Sequence, residues 1–423
     1  MNITCTATHP ALFGARPRRR TGTAIRQLAI SLLAMAATAA SAQFITPPKD
    51  WVKHRVMPDD FMSITAGNYH TCATRFDGRT YCWGRNDLGQ SGVAGTKTCK
   101  GPYAGPGTAC VDRPEYVLTA TQVEAGAEHT CALDAGGTAF CWGNSHRGQL
   151  GTGHYGDMVT PLAVNGGLSF SSISGNNAST CGTTTGGLYC WGEMGGSGVV
   201  APPSPTLIAA WAGYQGVTLG SAHGCALFVQ GGWRESGCWG QNKFGQLGGD
   251  PAQPLGSSPT NPTFLGASVN RFSASHDYTC IDHASGVVQC FGYNGSGQLG
   301  NGGYTPTHVP QTVGGGMPLH GVATGIDHAC ALDTTGRAYC WGNGYWGQLG
   351  NSQSNVFPSA QAVAGGLTFR AIAVGYRHTC AIGTDNHIYC WGRNYEGQLG
   401  TQYSGGMFSS GGWVSNPVQA LDP

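Results

Sequence analysis

A pair of cysteines recurs seven times along the chain and limits the folds that the sequence can adopt. A typical copy reads "HACALDTTGRAYCWG". The two cysteines of a copy lie 9 to 13 residues apart, and the first cysteines of successive copies lie 44 to 59 residues apart. A recurring period of this size is typical of solenoids and propellers. The 423 residues are therefore predicted to form one repeat array rather than several unrelated domains.

The residues between the paired cysteines have the pattern of a β-hairpin, with turn sequences such as "DAGG" and "DTTG" between apolar and aromatic residues. If Cys380 opposes Cys390, then Thr379 opposes Trp391 and Ala381 opposes Tyr389. Cross-strand pairs of a small residue with an aromatic one stabilise adjacent strands. The same register brings the two sulfurs within disulfide distance. We therefore predict one cross-strand disulfide in each repeat.

Sixteen cysteines are predicted to form disulfides, because Cys99 and Cys110 form an eighth pair in the long insert after the first repeat. Structural zinc sites favour Cys-x2-4-Cys and redox dithiols favour Cys-x-x-Cys, and neither spacing occurs here. We expect no metal and no cofactor. The predicted disulfide cysteines are Cys72, Cys82, Cys99, Cys110, Cys131, Cys141, Cys181, Cys190, Cys225, Cys238, Cys280, Cys290, Cys330, Cys340, Cys380 and Cys390.

Two further strands precede each hairpin. One ends in glycine, as in "AIAVG", and a proline-led apolar run such as "TPLAV" lies before it. Four strands per unit, apolar on both faces, must pack against neighbouring sheets. We predict an all-β, seven-bladed β-propeller over residues 61–423, preceded by a lead-in over 43–60. Because "SNPVQALDP" at the C-terminus is a proline-led strand without a hairpin, we expect it to complete the first blade and close the ring.

The first 42 residues have the features of an export signal, with Arg16 to Arg20 before an apolar run from Leu28 to Ala40 and small residues at the cleavage site. A retained membrane anchor is the alternative. Cleavage removes five arginines, which leaves 17 of the 22 basic residues against 21 acidic ones, a formal net charge of −4. No basic run survives, so no nucleic-acid partner is expected. We predict a secreted or periplasmic chain without membrane attachment after cleavage.

The assembled pattern "GxxHTCAL…G…YCWGxNxxGQLG" resembles the repeats of the regulator of chromosome condensation family. The resemblance implies a seven-bladed propeller. The third copy departs from the pattern with "STC" and "EMGGSG", and the fifth has Tyr278 and Phe291 in place of His and Trp. Founding members of that family act on a nuclear small GTPase, an activity that an exported chain is not expected to have. An exported relative blocks β-lactamases with loops on one propeller face, which shows that the scaffold can serve as a binding surface.

One histidine occurs per blade in five copies, and we interpret these residues as packed side chains that hydrogen-bond backbone inside the blade rather than as a metal ring. They are His70, His129, His223, His328 and His378. The "GQLG" runs lack the GK[ST] ending of a phosphate loop and are predicted to be turns, in which glycine allows a left-handed backbone.

A binding site is expected where the copies differ. The two residues before "GQ" vary, and the ring would gather them near one end. The alternative is that they are tolerant turn residues. Exposed aromatic residues there would anchor an interface, and the stapled insert is a second candidate, or only a stapled loop. The candidate binding residues are Lys97, Lys100, Tyr103, Phe244, Tyr345, Trp346 and Tyr395.

The sequence therefore predicts an exported, monomeric, non-catalytic scaffold that binds an unidentified protein or glycan through loops on one propeller face. Three alternatives remain open. They are a propeller enzyme that acts on an extracellular polymer, an inhibitor of a secreted enzyme, and a purely structural surface protein.

Overall fold

Seven antiparallel β-sheets, arranged as the blades of a propeller, form the fold. The computed structural model describes residues 57–95, 97–99, 108–193, 202–211, 213–230, 232–252, 256, 258–259, 262–266, 268–401 and 412–423. The predicted signal peptide (1–42) and residues 43–56 of the predicted lead-in lie outside this described part. No helix among the described residues has the length and apolar character needed to cross a membrane.

The first four blades are formed by seventeen strands. Blade 1 contains β1 (Phe61–Ala66), β2 (His70–Arg75), β3 (Arg79–Arg85), β4 (Lys97–Thr98) and β5 (Ala109–Thr119). Blade 2 contains β6 (Gln122–Ala125), β7 (His129–Leu133), β8 (Ala139–Gly143) and β9 (Met158–Ala163). Blade 3 contains β10 (Ser172–Gly175), β11 (Ser179–Thr184), β12 (Gly187–Gly192) and β13 (Thr206–Ala209). Blade 4 contains β14 (Tyr214–Leu219), β15 (His223–Gln230), β16 (Trp233–Gly240) and β17 (Thr263–Phe264).

The remaining three blades have four strands each. Blade 5 contains β18 (Val269–Ser275), β19 (Tyr278–His283), β20 (Val288–Gly292) and β21 (Thr307–Thr312), followed by a short 3-10 turn, Val313–Gly315. Blade 6 contains β22 (Leu319–Thr324), β23 (His328–Asp333), β24 (Ala338–Gly342) and β25 (Phe357–Ala362). Blade 7 contains β26 (Phe369–Val374), β27 (His378–Gly383), β28 (Ile388–Arg393) and β29 (Trp413–Gln419).

The hairpins have the predicted register. Cys380 faces Cys390, Thr379 faces Trp391 and Ala381 faces Tyr389. The hairpin cysteines of all seven blades are joined, with Cα–Cα distances of 4.0 to 4.1 Å. These are shorter than the about 4.5 Å between opposed residues of a non-hydrogen-bonded antiparallel pair. Cys99 and Cys110 form the eighth disulfide. Eight disulfides indicate that the chain folds in an oxidising compartment.

The C-terminal strand β29 completes the seventh blade, so the prediction that it completes the first blade and closes the ring is wrong. Tyr389 pairs with Gln419 and Cys390 pairs with Val418. The reason is that the proline-led strand follows its hairpin in every repeat instead of preceding it. In blade 2, for example, Cys141 pairs with Leu162 of the "MVTPLA" strand. Each blade therefore begins and ends one strand later in the sequence than predicted. Side-chain contacts between blades 7 and 1 close the ring instead.

The main-chain carbonyl of the glutamine in each GQLG turn joins one blade to the next. Gln398 O of blade 7 accepts hydrogen bonds from Trp83 Nε1 at 2.9 Å and from Thr71 Oγ1 at 3.0 Å, both in blade 1. Gln348 O of blade 6 accepts from Trp391 Nε1 at 2.9 Å and from Thr379 Oγ1 at 2.8 Å, both in blade 7. In the same way, Gln90 O accepts from Thr130 and Trp142, and Gln149 O accepts from Thr180 and Trp191.

The glycine that ends this turn allows the indole to approach. Gly400 has a φ of +67°, and a Cβ atom there would lie 2.9 Å from Trp83 Nε1. A side chain at this position would be strained by the backbone and would also push the tryptophan away from the Gln398 carbonyl. The GQLG motif is a turn, as predicted, but it is also the docking element between blades.

The repeated histidines hydrogen-bond across the blade boundary, so the expectation that they bond backbone inside their own blade is wrong. His70 Nε2 lies 2.8 Å from Thr130 Oγ1 of blade 2, and His378 Nε2 lies 2.9 Å from Thr71 Oγ1 of blade 1. Because the threonine hydroxyl donates its proton to the glutamine carbonyl, it must accept from the imidazole. Each of these histidines therefore carries a proton on Nε2. The other three pairs are His129 with Thr180, His223 with Thr279, and His328 with Thr379.

Two boundaries lack this pair, and both partners are replaced together. Ser179 stands at the histidine position of blade 3, and Gly224 stands at the threonine position of blade 4. In blade 5, Tyr278 replaces the histidine and donates its hydroxyl proton to His328 O at 2.8 Å. The facing threonine position in blade 6 is Ala329. Because both partners are replaced together, every repeated histidine keeps a threonine acceptor for its Nε2–H group.

Replacing Thr130 with valine should weaken the boundary between blades 1 and 2, because it leaves the buried His70 Nε2–H without an acceptor. We expect the free energy of unfolding to fall by about 1–3 kcal/mol. Urea denaturation of the oxidised protein measures the change. Thr305→Val is the matched control, since Thr305 is exposed and should change stability by no more than ~0.5 kcal/mol. Equal stabilities of the two variants would contradict the assignment.

Acid should destabilise the ring through these histidines. Burial lowers the pKa of His70 and His378 to about 3 and that of His129 and His223 to about 4. Their stabilising contribution is complete above the unfolded pKa of about 6.5 and is lost as the pH falls through the folded values, at up to about 1.4 kcal/mol per histidine per pH unit.

Urea denaturation between about pH 7 and pH 4 tests this dependence, because stability should decrease steadily below about pH 6.5. His129→Gln should be less stable at neutral pH but should lose stability less steeply with acid, since it has one titrating group fewer. An unchanged slope in that variant would show that His129 does not cause the acid sensitivity.

Candidate functional site

Two sets of loops share one end of the ring. The connection between the first two strands of a blade and the GQLG turn after its third strand lie at the same end, because alternate connections of an antiparallel sheet do so. Arg85 N, for example, donates to Tyr69 O at 2.8 Å. We call this end the GQLG face. The hairpin turns lie at the opposite end.

The centre of the GQLG face holds a cavity of about 110 Å³. All seven blades line it with the residues that follow their first strand, which we call the channel mouth. Its polar and aromatic side chains include Asn68, Asn177, Ser221, His276 and Tyr376. His276 Nδ1 lies 2.9 Å from the Asp277 carboxylate. The side-chain hydrogen bond lowers the pKa of Asp277 and raises that of His276.

Beside the channel mouth, arginine and aromatic side chains of blades 6, 7 and 1 form one group, the arginine–aromatic cluster. The Arg377 guanidinium carbon lies 4.4 Å from the ring centre of Tyr376 and 5.2 Å from that of Trp346. Arg377 Nη2 also donates to the Tyr376 hydroxyl at 2.8 Å. The members of the cluster are Tyr69, Trp346, Tyr376, Arg377, Arg393 and Tyr395.

Arg393 links the three blades in this cluster. Its guanidinium lies 5.0 Å from the rings of Tyr69 and Tyr395 and 5.8 Å from the ring of Trp346. It also forms an ion pair with Glu396, and both side chains are buried. Cation–π contacts are stronger where water is excluded, so these contacts fix the rings relative to one another. Burial raises the pKa of the Tyr69 phenol, although the charge of Arg393 opposes the shift.

The structure brings some of the predicted binding residues together and separates others. Trp346 and Tyr395 are in edge-to-face contact at 5.9 Å within the cluster, and Tyr345, which is 60% exposed, is adjacent in sequence. Phe244 instead lies on blade 4, where it packs against Tyr293 at 4.9 Å. Whether these residues contact a ligand remains a prediction.

Tyr395 is 2% exposed, so the expectation that its ring is an exposed anchor is wrong. Arg393 lies over the ring, Trp346 contacts its edge, and the main chain at Gly412 covers its side. A Cβ atom on Gly412 would lie 2.4 Å from Tyr395 Cε1. Its place next to a GQLG turn predicted exposure because the sequence does not show the return of β29 over that turn.

Of the three candidate residues in the stapled insert, only Lys97 lies within the described residues. Lys97 belongs to β4, and its ammonium group lies 3.0 Å from the Asp112 carboxylate. Lys100 and Tyr103 lie outside the described residues. A binding role for this loop stays a prediction.

Four residues of the cluster were not predicted from the sequence, namely Tyr69, Tyr376, Arg377 and Arg393. The first three occupy the two positions between glycine and histidine in "GxxH", and Arg393 follows "CWG". These positions vary from copy to copy, just as the pair before "GQ" does. That variation was the available signal. In the described residues, no group of three or more His, Cys, Asp or Glu side chains is placed to hold a metal ion.

The repeats match a known family. Profiles described as "Regulator of chromosome condensation (RCC1) repeat" match residues 63–90, 120–149, 320–348 and 369–398, and also 77–133 and 335–382. The chain carries regulator of chromosome condensation repeats. The copies in blades 1, 2, 6 and 7, three of which supply the arginine–aromatic cluster, are among the matched segments.

Relatives of known name share these repeats over part of their length. E3 ubiquitin-protein ligase HERC2 of Homo sapiens is 25% identical over 279 residues, 62% of this chain and 6% of the ligase. Ultraviolet-B receptor UVR8 of Arabidopsis thaliana is 29% identical over 217 residues, 48% of each chain. RCC1 domain-containing protein 1 of Homo sapiens is 30% identical over 203 residues, 46% of this chain and 50% of the relative. The chain thus spans half or less of each of these relatives.

Solved structures show the same fold. Human WBSCR16 superposes with a TM-score of 0.67 at 20% identity, covering 82% of this chain and 94% of that one. Prp20p of Saccharomyces cerevisiae superposes with a TM-score of 0.65 at 17% identity, covering 90% and 91%. At these identities the likeness establishes the propeller and nothing about ligands.

Two neighbouring tyrosines of the GQLG face should respond differently to truncation. Tyr395→Ala leaves a cavity between Arg393 and Trp346 and should lower the free energy of unfolding by about 3–5 kcal/mol. Tyr345→Ala removes an exposed ring and should change it by no more than ~0.5 kcal/mol. Urea denaturation of both variants measures the difference. A stable Tyr395→Ala protein would show that the ring does not support the cluster.

Proposed function

We propose that the protein is an exported, non-catalytic binding scaffold whose ligand contacts the GQLG face over blades 6, 7 and 1. The arginine–aromatic cluster is the observation that carries this proposal. Trp, Tyr and Arg are the residue types enriched at the energetic centres of interfaces. Here their relative positions are fixed by cation–π and edge-to-face contacts, so little side-chain entropy remains to be lost on binding.

The non-catalytic part of the proposal rests on how the repeated polar residues are used. The histidines are buried and hydrogen-bonded to threonines, and the threonines are hydrogen-bonded to glutamine carbonyls. These side chains stabilise blade boundaries. Variable positions on the GQLG face are left to contact a ligand. The ligase activity named for HERC2 is not proposed for this chain, which covers 6% of that protein.

Export is proposed from the signal-like residues 1–42 together with the eight disulfides. A monomer is proposed because the ring closes on itself through the contacts of Trp83 and Thr71 with Gln398 O. The expected partners are proteins or glycans of the exported compartment, with neither nucleic acid nor membrane among them.

Affinity capture tests the proposed face. The folded, oxidised chain is immobilised and exposed to the periplasmic and secreted fractions of its source. Each retained macromolecule is then titrated against the wild-type protein and the double variant Trp346→Ala, Arg377→Ala. We expect the double variant to bind at least about tenfold more weakly, a loss of about 1.4 kcal/mol.

Tyr155→Ala is the control, because Tyr155 is an exposed aromatic residue (56%) in a loop of the same face on blade 2, outside the cluster. It should bind like the wild type. If the double variant retains full affinity for every captured macromolecule while circular dichroism shows it folded, the cluster is not the binding site.

A further inference from the structure

The channel mouth offers hydrogen-bonding groups that the fold itself does not use. The Asn68 amide forms no side-chain hydrogen bond among the described residues. Asn177 donates to Ser221 Oγ at 3.2 Å, which leaves the Asn177 carbonyl oxygen and the Ser221 hydroxyl proton for another partner. All three side chains line the same cavity and carry no charge. Such a set of neutral donors and acceptors complements hydroxyl groups.

Arg377 differs from the other arginines near the cavity in its pairing. Arg393 is paired with Glu396, and Arg85 is paired with Asp87 at 2.6 Å and Glu128 at 3.3 Å. Arg377 has no carboxylate partner within the described part of the chain, although it lies over two rings and donates to one phenol. Stacking uses the face of the guanidinium, so other N–H groups at its edge can bind a planar anion such as a carboxylate.

Tyr376 connects these two features, because it lines the cavity and also contacts Arg377. The cavity of about 110 Å³ opens to solvent on the GQLG face. It is smaller than one of ~150 Å³ that holds benzene, so it takes one hydroxyl-bearing edge of a sugar ring rather than the whole ring. A ligand that occupies the cavity and also contacts Arg377 therefore has one hydroxyl-rich ring and one carboxylate. A polypeptide carries its hydroxyl groups singly, on serine, threonine or tyrosine, whereas a sugar acid carries several on one ring beside its carboxylate.

We propose that the channel mouth binds a terminal uronic acid residue of an acidic polysaccharide, with its hydroxyl groups on Asn68, Asn177 and Ser221 and its carboxylate on Arg377. This inference rests on the proposed function and names the ligand class for the same face. Tyr376 and Trp346 hold the Arg377 guanidinium, and the next sugar of the chain leaves the cavity over their rings.

Isothermal titration calorimetry with trigalacturonate and with its neutral methyl ester tests the proposal on the mature, oxidised chain. The acid should bind at least about tenfold more tightly than the ester, equivalent to about 1.4 kcal/mol. Arg377→Met should abolish this preference because it keeps the stem and removes the guanidinium. Asn68→Ala should weaken the acid and the ester alike. Arg337→Met, an exposed arginine on the opposite end, should behave like the wild type.

The remaining outcomes distinguish a failure of the glycan assignment from a failure of the proposed binding face. If neither sugar binds but a captured macromolecule depends on Trp346, the glycan assignment is overturned and the binding face stands; a captured acidic protein would then be the ligand. If trigalacturonate binds and Arg377→Met keeps the preference for acid over ester, the carboxylate position is wrong. If neither sugar binds and no captured macromolecule depends on Trp346, both proposals fall.

Discussion

The ring depends on a main-chain carbonyl that recurs in six of the seven blades, that of the glutamine in the GQLG turn, which reads GQSG in blade 1. At three boundaries and at the closure of the ring, this carbonyl accepts from both a tryptophan indole and a threonine hydroxyl of the next blade. All the partners are buried, so an unpaired member would cost about 1–3 kcal/mol. Two acceptor sites on one oxygen thus align two strands of the neighbouring sheet. The contact from Gln398 to Trp83 and Thr71 closes the ring with the geometry used elsewhere, and no strand needs to be exchanged between blades 7 and 1.

Sequence reasoning predicted the parts of the fold that are local. Cysteine spacing and the pairing of small with aromatic residues defined the hairpins, because their partners lie about ten residues apart. The spacing of the copies, with four strands in each, predicted seven blades. The frame of the blade was wrong because a proline-led strand lies between two hairpins and the sequence does not show which of them it joins. The histidine partners were missed for a related reason, since His378 and Thr71 lie 307 residues apart.

The glycine, histidine and threonine of the repeat behave as one unit. A Cβ atom on Gly67 would lie 2.3 Å from His70 Cε1, so the glycine makes room for the ring. Where the histidine is absent, the glycine position is Asn176 or Ser275 and the facing threonine position is Gly224 or Ala329. The physical reason is that the imidazole needs both the space and the acceptor. Five of the glycine, histidine and threonine sets are intact, and in the other two all three residues are replaced. This joint presence and absence within a single chain identifies the motif as an inter-blade contact without comparison to another sequence.

Because the boundaries use the repeated residues, the proposed ligand contacts come from positions that do not repeat. The cluster follows this division, since Tyr376 and Arg377 occupy the variable part of "GxxH" and Trp346 lies directly before "GQ". Variation alone did not separate the exposed Tyr345 from the buried Tyr395, because burial there depends on the path of β29. Nor did it show which arginines are already paired. Arg393 is paired with Glu396, whereas Arg377 has no carboxylate partner among the described residues and lies beside the uncharged side chains of Asn68, Asn177 and Ser221. That asymmetry, set by tertiary contacts, is the reason for proposing an anionic ligand at this face.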